Sequence, residues 1–491
     1  MTTTRPSIPA EKFEMPSWST PVLTIGVLVF LIWFLSTGVS QIFVAMLLIG
    51  LGLLAVLIRP DLAAFGTLIF LPFLGDIRRY ISVGGGKTSQ DPMLMVAPAI
   101  AGMIFARMLF ERGARLDTRL AKLVLAMMVV MAIEILNPLQ GGITVGLAGA
   151  LFYIVPLLWF WAGRSLSSET ATAQLLRQLI PIIALSAAIL GLFQTYVGWL
   201  SFEAQWIREQ TYGQQGFAAL IIDGHVVRPF GFFCSPSEFS GYLSIGFIAC
   251  AVPLIAGRRR LTAFLMAPIG YMLFLSAVRT AISLTAFSVL AVWAVMGRDA
   301  KGVAGRFILV VLFIVPALVL GLNRLKDVDH SDRVGALVGH SVDGLTNPTE
   351  STAGAHGDLW LEGISGGIMN PIGYGLGSST PAAGRYGDRA GAAMEHDIPN
   401  LFFSLGVFGG ILYLVLMFQV LRVVYGLFRD RGSLIALTVL GILISQFGYW
   451  ALGTHYSTSA LVWFLIGSID RTQIPVPAMH LAPRRAMPDR A

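Results

Sequence analysis

Apolar stretches of membrane-crossing length recur along almost the whole of this chain, and no other feature constrains its fold as strongly. Hydrocarbon offers no hydrogen-bond partner, so a spanning segment must satisfy its own backbone, which a helix of roughly 20 apolar residues does. Fourteen segments read this way: 21–36, 41–58, 62–74, 93–109, 120–136, 146–161, 178–197, 238–256, 261–276, 280–296, 307–322, 398–420, 433–451 and 455–469. The 491 residues are 55% apolar and only 12% charged, whereas soluble domains carry about twice that share of charge. The expected fold class is therefore all-α, a polytopic integral membrane bundle of about 12–14 spans. Segments 62–74 and 455–469 are short enough to be re-entrant or tilted. Interior Pro72, Pro98, Pro156, Pro253 and Pro268 predict kinks, which packed membrane helices tolerate. The first stretch follows Arg5 and Lys12 without a small-residue cleavage site, and so reads as a retained anchor.

Lys and Arg number 34 against 27 Asp and Glu, a net charge of +7. In a soluble protein that balance would hint at nucleic acid; here it follows from topology. With a cytoplasmic N-terminus, Arg107, Arg112, Arg115, Arg119 and Lys122, then Arg258-Arg259-Arg260, then Arg422, Arg429 and Arg431 all face the cytoplasm. The acidic residues fall mostly outside, so no nucleic-acid partner is expected. Cys234 and Cys250 are too few for a disulfide scaffold or a cysteine-rich metal site. The chain divides into a tail (1–20), membrane helices (21–197), core helices with arginine-bearing motifs (198–322), a large outer loop (323–397), membrane helices (398–469) and a second tail (470–491). A loop as long as 323–397 between packed spans is usually functional. Trp360, Leu361 and Ile364 predict loop helices docked on the bundle. Six of the seven histidines (His225, His330, His340, His356, His396 and His455) lie on or near the outer side.

Several short motifs fall to simpler readings. Gly84-Gly85-Gly86-Lys87-Thr88 imitates a phosphate-binding loop, but Ile81 replaces its first glycine and no strand–helix unit surrounds it. Asp327-Val328-Asp329 has the acid-x-acid spacing of divalent-cation sites, a spacing common by chance in a polar loop. Gly373-Tyr374-Gly375-Leu376-Gly377 reads as a tight turn beside a docked helix rather than a dinucleotide fingerprint. Glu134 is the one acidic residue read within a span, and it lies near a helix end.

Three stretches carry candidate chemistry. In Arg228-Pro229-Phe230-Gly231-Phe232-Phe233-Cys234-Ser235-Pro236-Ser237-Glu238, Ser235 or Ser237 caps a helix whose N–H groups would face outward as an anion site. The alternative for Arg228 is an interfacial arginine reaching to lipid headgroups. Arg279 stands between two apolar segments with almost no loop, on the side where topology calls for no basic anchor. Such an arginine is costly and usually has a partner. His396, in Met394-Glu395-His396-Asp397-Ile398-Pro399-Asn400, opens the twelfth span. A histidine transfers protons near neutral pH, and Glu395 and Asp397 are placed to orient it. A purely structural loop histidine is the competing reading.

In order, these stretches resemble the bacterial O-antigen ligase and polysaccharide polymerase family, over roughly residues 220–420. Arg228 to Tyr242 is similar to its Arg…Gly-Thr-Phe…Pro-Asn…Tyr stretch. Leu275 to Leu284 is similar to its Ser-Arg motif, and Pro371 to Gly410 to its Pro-x-x-Gly-x-Gly-x-Gly run followed by His-Asn and a helix with Gly-x-x-Gly. Pro236-Ser237 replaces Pro-Asn, Ala277-Val278-Arg279 loosens the Ser-Arg pair, and His396-Asp397 replaces His-Asn, with Asn400 three residues on.

The resemblance implies a polytopic glycosyltransferase of the inner membrane, active at its periplasmic face on an undecaprenyl-diphosphate-linked oligosaccharide. It places Arg228 and Arg279 on the diphosphate and His396 at the reacting centre, with Glu395, Asp397, Asn400, Ser235 and Ser237 in support. No cofactor or metal is implied, because the arginines would supply the positive charge. Membrane lipids and other assembly proteins, such as a flippase or chain-length regulator, are the partners implied. Polymerase is favoured over ligase onto lipid A core. A lipid-linked oligosaccharide flippase or transporter is the rival of another class.

Overall fold

The computed structural model describes residues 41–473 except 87–90, 113–115, 213–220, 223–225, 258–261, 298–299, 311, 313–319, 321–331, 347–352, 388–395 and 452–454. Segment 21–36, Glu395, and Asp327-Val328-Asp329 thus lie outside the described residues, as do Lys87 and Thr88.

The described chain is almost wholly helical. The helices α1 (Gln41–Ile58), α2 (Pro60–Ile81), α3 (Val96–Arg112), α4 (Arg119–Glu134) and α5 (Ile143–Leu166) come first. A continuous run, α6, covers Glu169–Tyr196 through a π-turn at 175–179. After α7 (Ser201–Tyr212) and a two-residue antiparallel pairing of β1 (Ile221–Ile222) with β2 (Val226–Val227) come α8 (Pro236–Ile255), α9 (Thr262–Leu275), α10 (Arg279–Val295) and α11 (Ala300–Leu309). Between the predicted spans lie α12 (Arg333–Thr346), α13 (Ala353–Met369) and α14 (Pro381–Tyr386), followed by α15 (Asp397–Arg431), α16 (Leu434–Ser445) and α17 (Tyr456–Arg471).

Among the described residues seven helices are long and apolar enough to cross a membrane. The segment read as 62–74 belongs to one of them, because α2 runs on past its apolar window to Arg78 and Arg79. Segment 455–469 becomes α17, whose residues Ser457 to Asp470 are all buried. It is the centre of the bundle and has no lipid-facing side. Segment 433–451 shortens to α16; twelve residues rise about 18 Å, less than a hydrocarbon core. The chain then turns through Gly448, at φ 85°, and leaves Tyr449 in the connection.

Small residues set the closest helix crossing. A Cβ on Gly163 of α5 would strike the Phe464 carbonyl of α17, and one on Gly467 would strike the Phe160 carbonyl of α5. Lipid is as apolar as a side chain, so helices gain from such close backbone approach. At the same end Arg164 pairs with Asp117 and, at 2.7 Å, with Asp470, which also accepts from Thr118 Oγ1 at 2.8 Å.

The loop helices dock through a break in α15. At Gly406 the backbone leaves the helix (φ 68°, ψ −176°). The carbonyls of Phe403 and Ser404 accept instead from the amides of Tyr374 and Gly375, both at 3.0 Å. Gly373 and Gly375 take φ near 95° to make that approach, so the Gly-x-Gly-x-Gly run is the tight turn its sequence predicts. Trp360 and Ile364 of α13 pack on the core, while Leu361 is exposed.

Replacing Gly163 or Gly467 with leucine should cost about 1–3 kcal/mol through overpacking. Thermal melts in detergent should show this, with Gly426→Leu, where a side chain meets open space, unchanged.

Candidate functional site

One end of the bundle collects all three arginine- and histidine-bearing motifs. It is the end at which α8, α10, α15 and α17 begin and α2, α9 and α16 finish. Most of the described basic residues outside these motifs, among them Arg107, Arg119, Lys122, Arg164, Arg429 and Arg471, lie toward the other end.

The stretch before α8 is held from below. Ser235 is the cap: its Oγ accepts from the Glu238 amide at 3.2 Å. Glu238 answers by accepting from the Cys234 amide at 3.3 Å and from the Ser457 amide and hydroxyl at 2.7 and 2.6 Å. A buried carboxylate therefore sits where an open anion site was expected, because the capping pattern Ser-x-x-Glu turns the acid back on its own helix. Ser237 is not the cap; its carbonyl accepts from Ser240. Arg78 donates to Asp91 at 2.5 Å and contacts Cys234 Sγ at 3.4 Å, and Arg79 donates to the Phe233 carbonyl at 2.7 Å while lying over the Phe230 ring. Burial, reinforced by Glu238 and opposed by Arg78 and Arg79, pushes the Cys234 thiol up to about 11.

Above this floor Arg228 and Arg279 converge. Arg279 opens α10 directly after a turn in which Ala277 adopts φ 55°, an uncommon conformation for a residue with a Cβ. Arg279 Nη2 lies 2.9 Å from His340 Nε2, and Arg228 Nη2 lies 3.4 Å from the same atom. His340 is on α12, which is anchored by Arg333. That side chain donates to the carbonyls of Gln194 and Val227 at 2.5 and 3.0 Å and lies over Trp199, and its burial lowers its pKa.

His396 opens α15 at the same end of the bundle. It occupies the N-cap position of α15, its carbonyl accepting from the Asn400 amide at 3.2 Å. Its ring lies 5.5 Å from Trp360 and 4.9 Å from Tyr449, which stacks on His455 at 5.2 Å. Tyr449 Oη reaches Thr280 Oγ1 at 3.4 Å, next to Arg279 in the chain. Asp397 does not serve as the expected orienting acid. Its Oδ2 accepts from Tyr413 at 2.8 Å and from the Ala451 amide at 3.0 Å, and its amide donates to Gly448. It fixes the Tyr449 loop and so places His396 indirectly. Asn400 is fully buried one helical turn on.

Four participants escaped sequence reasoning. His340 looked like one loop histidine among several, and Tyr449 like part of a span. Arg78 and Arg79 carried the same signal as Arg279, basic residues ending an apolar helix on the basic-poor side. Glu134 is also not the only acid within the helices: Asp76, Glu238, Asp397 and Asp470 join it, because helices extend past their apolar windows into paired polar ends. Among the described residues no group of His, Cys, Asp and Glu has the makings of a metal site. Compared with known proteins, the sequence matches no family model and no curated relative.

With its thiol held protonated by burial, Cys234 should alkylate at pH 8 about a hundredfold more slowly than free cysteine. Maleimide labelling followed by mass spectrometry measures this, and a rate equal to free cysteine would contradict the packing described.

Proposed function

We propose that this protein is a membrane glycosyltransferase of polysaccharide assembly. It transfers a glycan from undecaprenyl diphosphate to a sugar hydroxyl of another lipid-linked repeat, at the periplasmic face of a bacterial inner membrane. The observation that carries the reading is the convergence of Arg228 and Arg279, from two separate motifs, on His340, at the end of the bundle where His396 caps α15. The resemblance of residues 220–420 to the O-antigen ligase and polymerase family supports the same assignment.

The chemistry follows from what each group can do. Outside the cytoplasm there is no supply of sugar nucleotides, so an activated donor arrives on a lipid. His396 accepts the proton of the acceptor hydroxyl as that oxygen attacks the anomeric carbon. The bond from that carbon to the diphosphate oxygen breaks, and the electron pair leaves with the diphosphate. Two permanently charged, planar guanidiniums stabilise the charge that develops there, more strongly in a site poor in water. The leaving diphosphate needs no proton.

The test is transfer from a lipid-diphosphate oligosaccharide by purified protein, without nucleotide or added metal. Arg279→Ala should lower the rate about 10²–10³-fold and His396→Ala about 10²–10⁴-fold, both inserting and melting like wild type. Wild-type rates in both variants would remove the site. Lengthened lipid-linked glycan marks a polymerase, and transfer only to added lipid A core marks a ligase instead.

A further inference from the structure

The helix α12 brings to the two arginines a residue that the reaction above does not use. A guanidinium only donates, so His340 Nε2 meets Arg228 and Arg279 through its lone pair, and the neutral ring carries its proton on Nδ1. The imidazole thus fills the point at which two cations aim, where an anionic oxygen belongs. Gly344, one turn further along the same helix, lies where any Cβ would run into the Arg279 side chain. This face of α12 is cut to admit a guanidinium. The helix is also pinned, since Ser341 Oγ donates to the Phe274 carbonyl at 3.0 Å and Arg333 holds the first turn.

We propose that His340 is a third ligand of the diphosphate and takes up a proton as the anion binds. Empty, the neutral imidazole accepts from both arginines; occupied, the imidazolium donates to the same anion. The inference rests on reading Arg228 and Arg279 as a diphosphate site. A lone pair facing two cations is favourable, but the same lone pair facing a phosphate oxygen is repelled, and an N–H there is attracted.

The surrounding groups permit the switch. Arg228 and Arg279 are the cations at the ring. On α12 itself, Asp343 acts on Arg279, while Arg333 is engaged with backbone carbonyls. From α9 and α6, Tyr271 and Tyr196 are bonded to each other, and phenols titrate far above neutral pH.

The full-length protein in lipid nanodiscs is titrated calorimetrically with farnesyl diphosphate, and separately with inorganic pyrophosphate, in two buffers of different ionisation enthalpy. Wild type should take up about one proton more per farnesyl diphosphate than His340→Gln, and lose up to about tenfold more affinity per pH unit on the alkaline side. The glutamine keeps an N–H donor without titrating, and the probe's own ionisation is common to both proteins. His340→Ala should bind at least about tenfold more weakly, the loss of one charge-assisted hydrogen bond. Equal proton uptake in wild type and His340→Gln, or wild-type affinity in His340→Ala, overturns the role of His340 and leaves the diphosphate site standing. Wild-type affinity in Arg279→Ala, or no binding by wild type, overturns both. Pyrophosphate binding as tightly as farnesyl diphosphate keeps the His340 switch but assigns the site to a free anion, against the lipid-linked donor.

Discussion

A helix that breaks inside a packed bundle bares carbonyls that no water can reach, and the break at Gly406 organises the end of the bundle where the arginine- and histidine-bearing motifs gather. Phe403 and Ser404 recover their hydrogen bonds only because Tyr374 and Gly375 present amides to them. That exchange ties the 370s to the start of α15 and clamps α13 along it. Trp360 is thereby set against His396. Leaving such carbonyls unpaired is costly, and Gly373, Gly375 and Gly406 reach the positive φ that the junction needs without a Cβ penalty.

The same economy governs the charges. Several of the described ionisable groups that enter the bundle are paired within it: Glu238 with Ser457 and the Cys234 amide, Asp397 with Tyr413 and Ala451, Arg164 with Asp470. Each such set fixes one connection between helices. The Glu238 set joins α8 to α17, and the Asp397 set holds the loop that carries Tyr449. Arg228 and Arg279 meet on one shared imidazole nitrogen. Two cations gathered around a group without charge make a place suited to an anion.

Much of this was legible in the sequence. The helical class follows from the length and composition of the apolar windows, and Arg279 stood out because it interrupts them on the basic-poor side. Arg228, His396 and the glycine run were legible as motifs, and the capping serine as one of two. The supporting roles read less well. Asp397 is adjacent to His396 in the chain, yet a residue opening a helix and its cap face different ways, and the acid turns into the bundle. Segment 433–451 is apolar throughout, so no window could reveal that its last residues form a turn. His340, Arg78 and Arg79 meet their partners across long stretches of chain, and spacing carries no trace of such contacts.

What the sequence determined by itself was the solvent. A chain this apolar, with so little charge and with apolar windows of helical length, satisfies its backbone within helices. Tertiary structure decided which of the scarce polar groups face one another. Helix packing sets those distances, and packing depends on where small residues such as Gly163 and Gly467 let backbones close and where α15 breaks. The approach of Arg228 and Arg279 to His340 is a consequence of that packing.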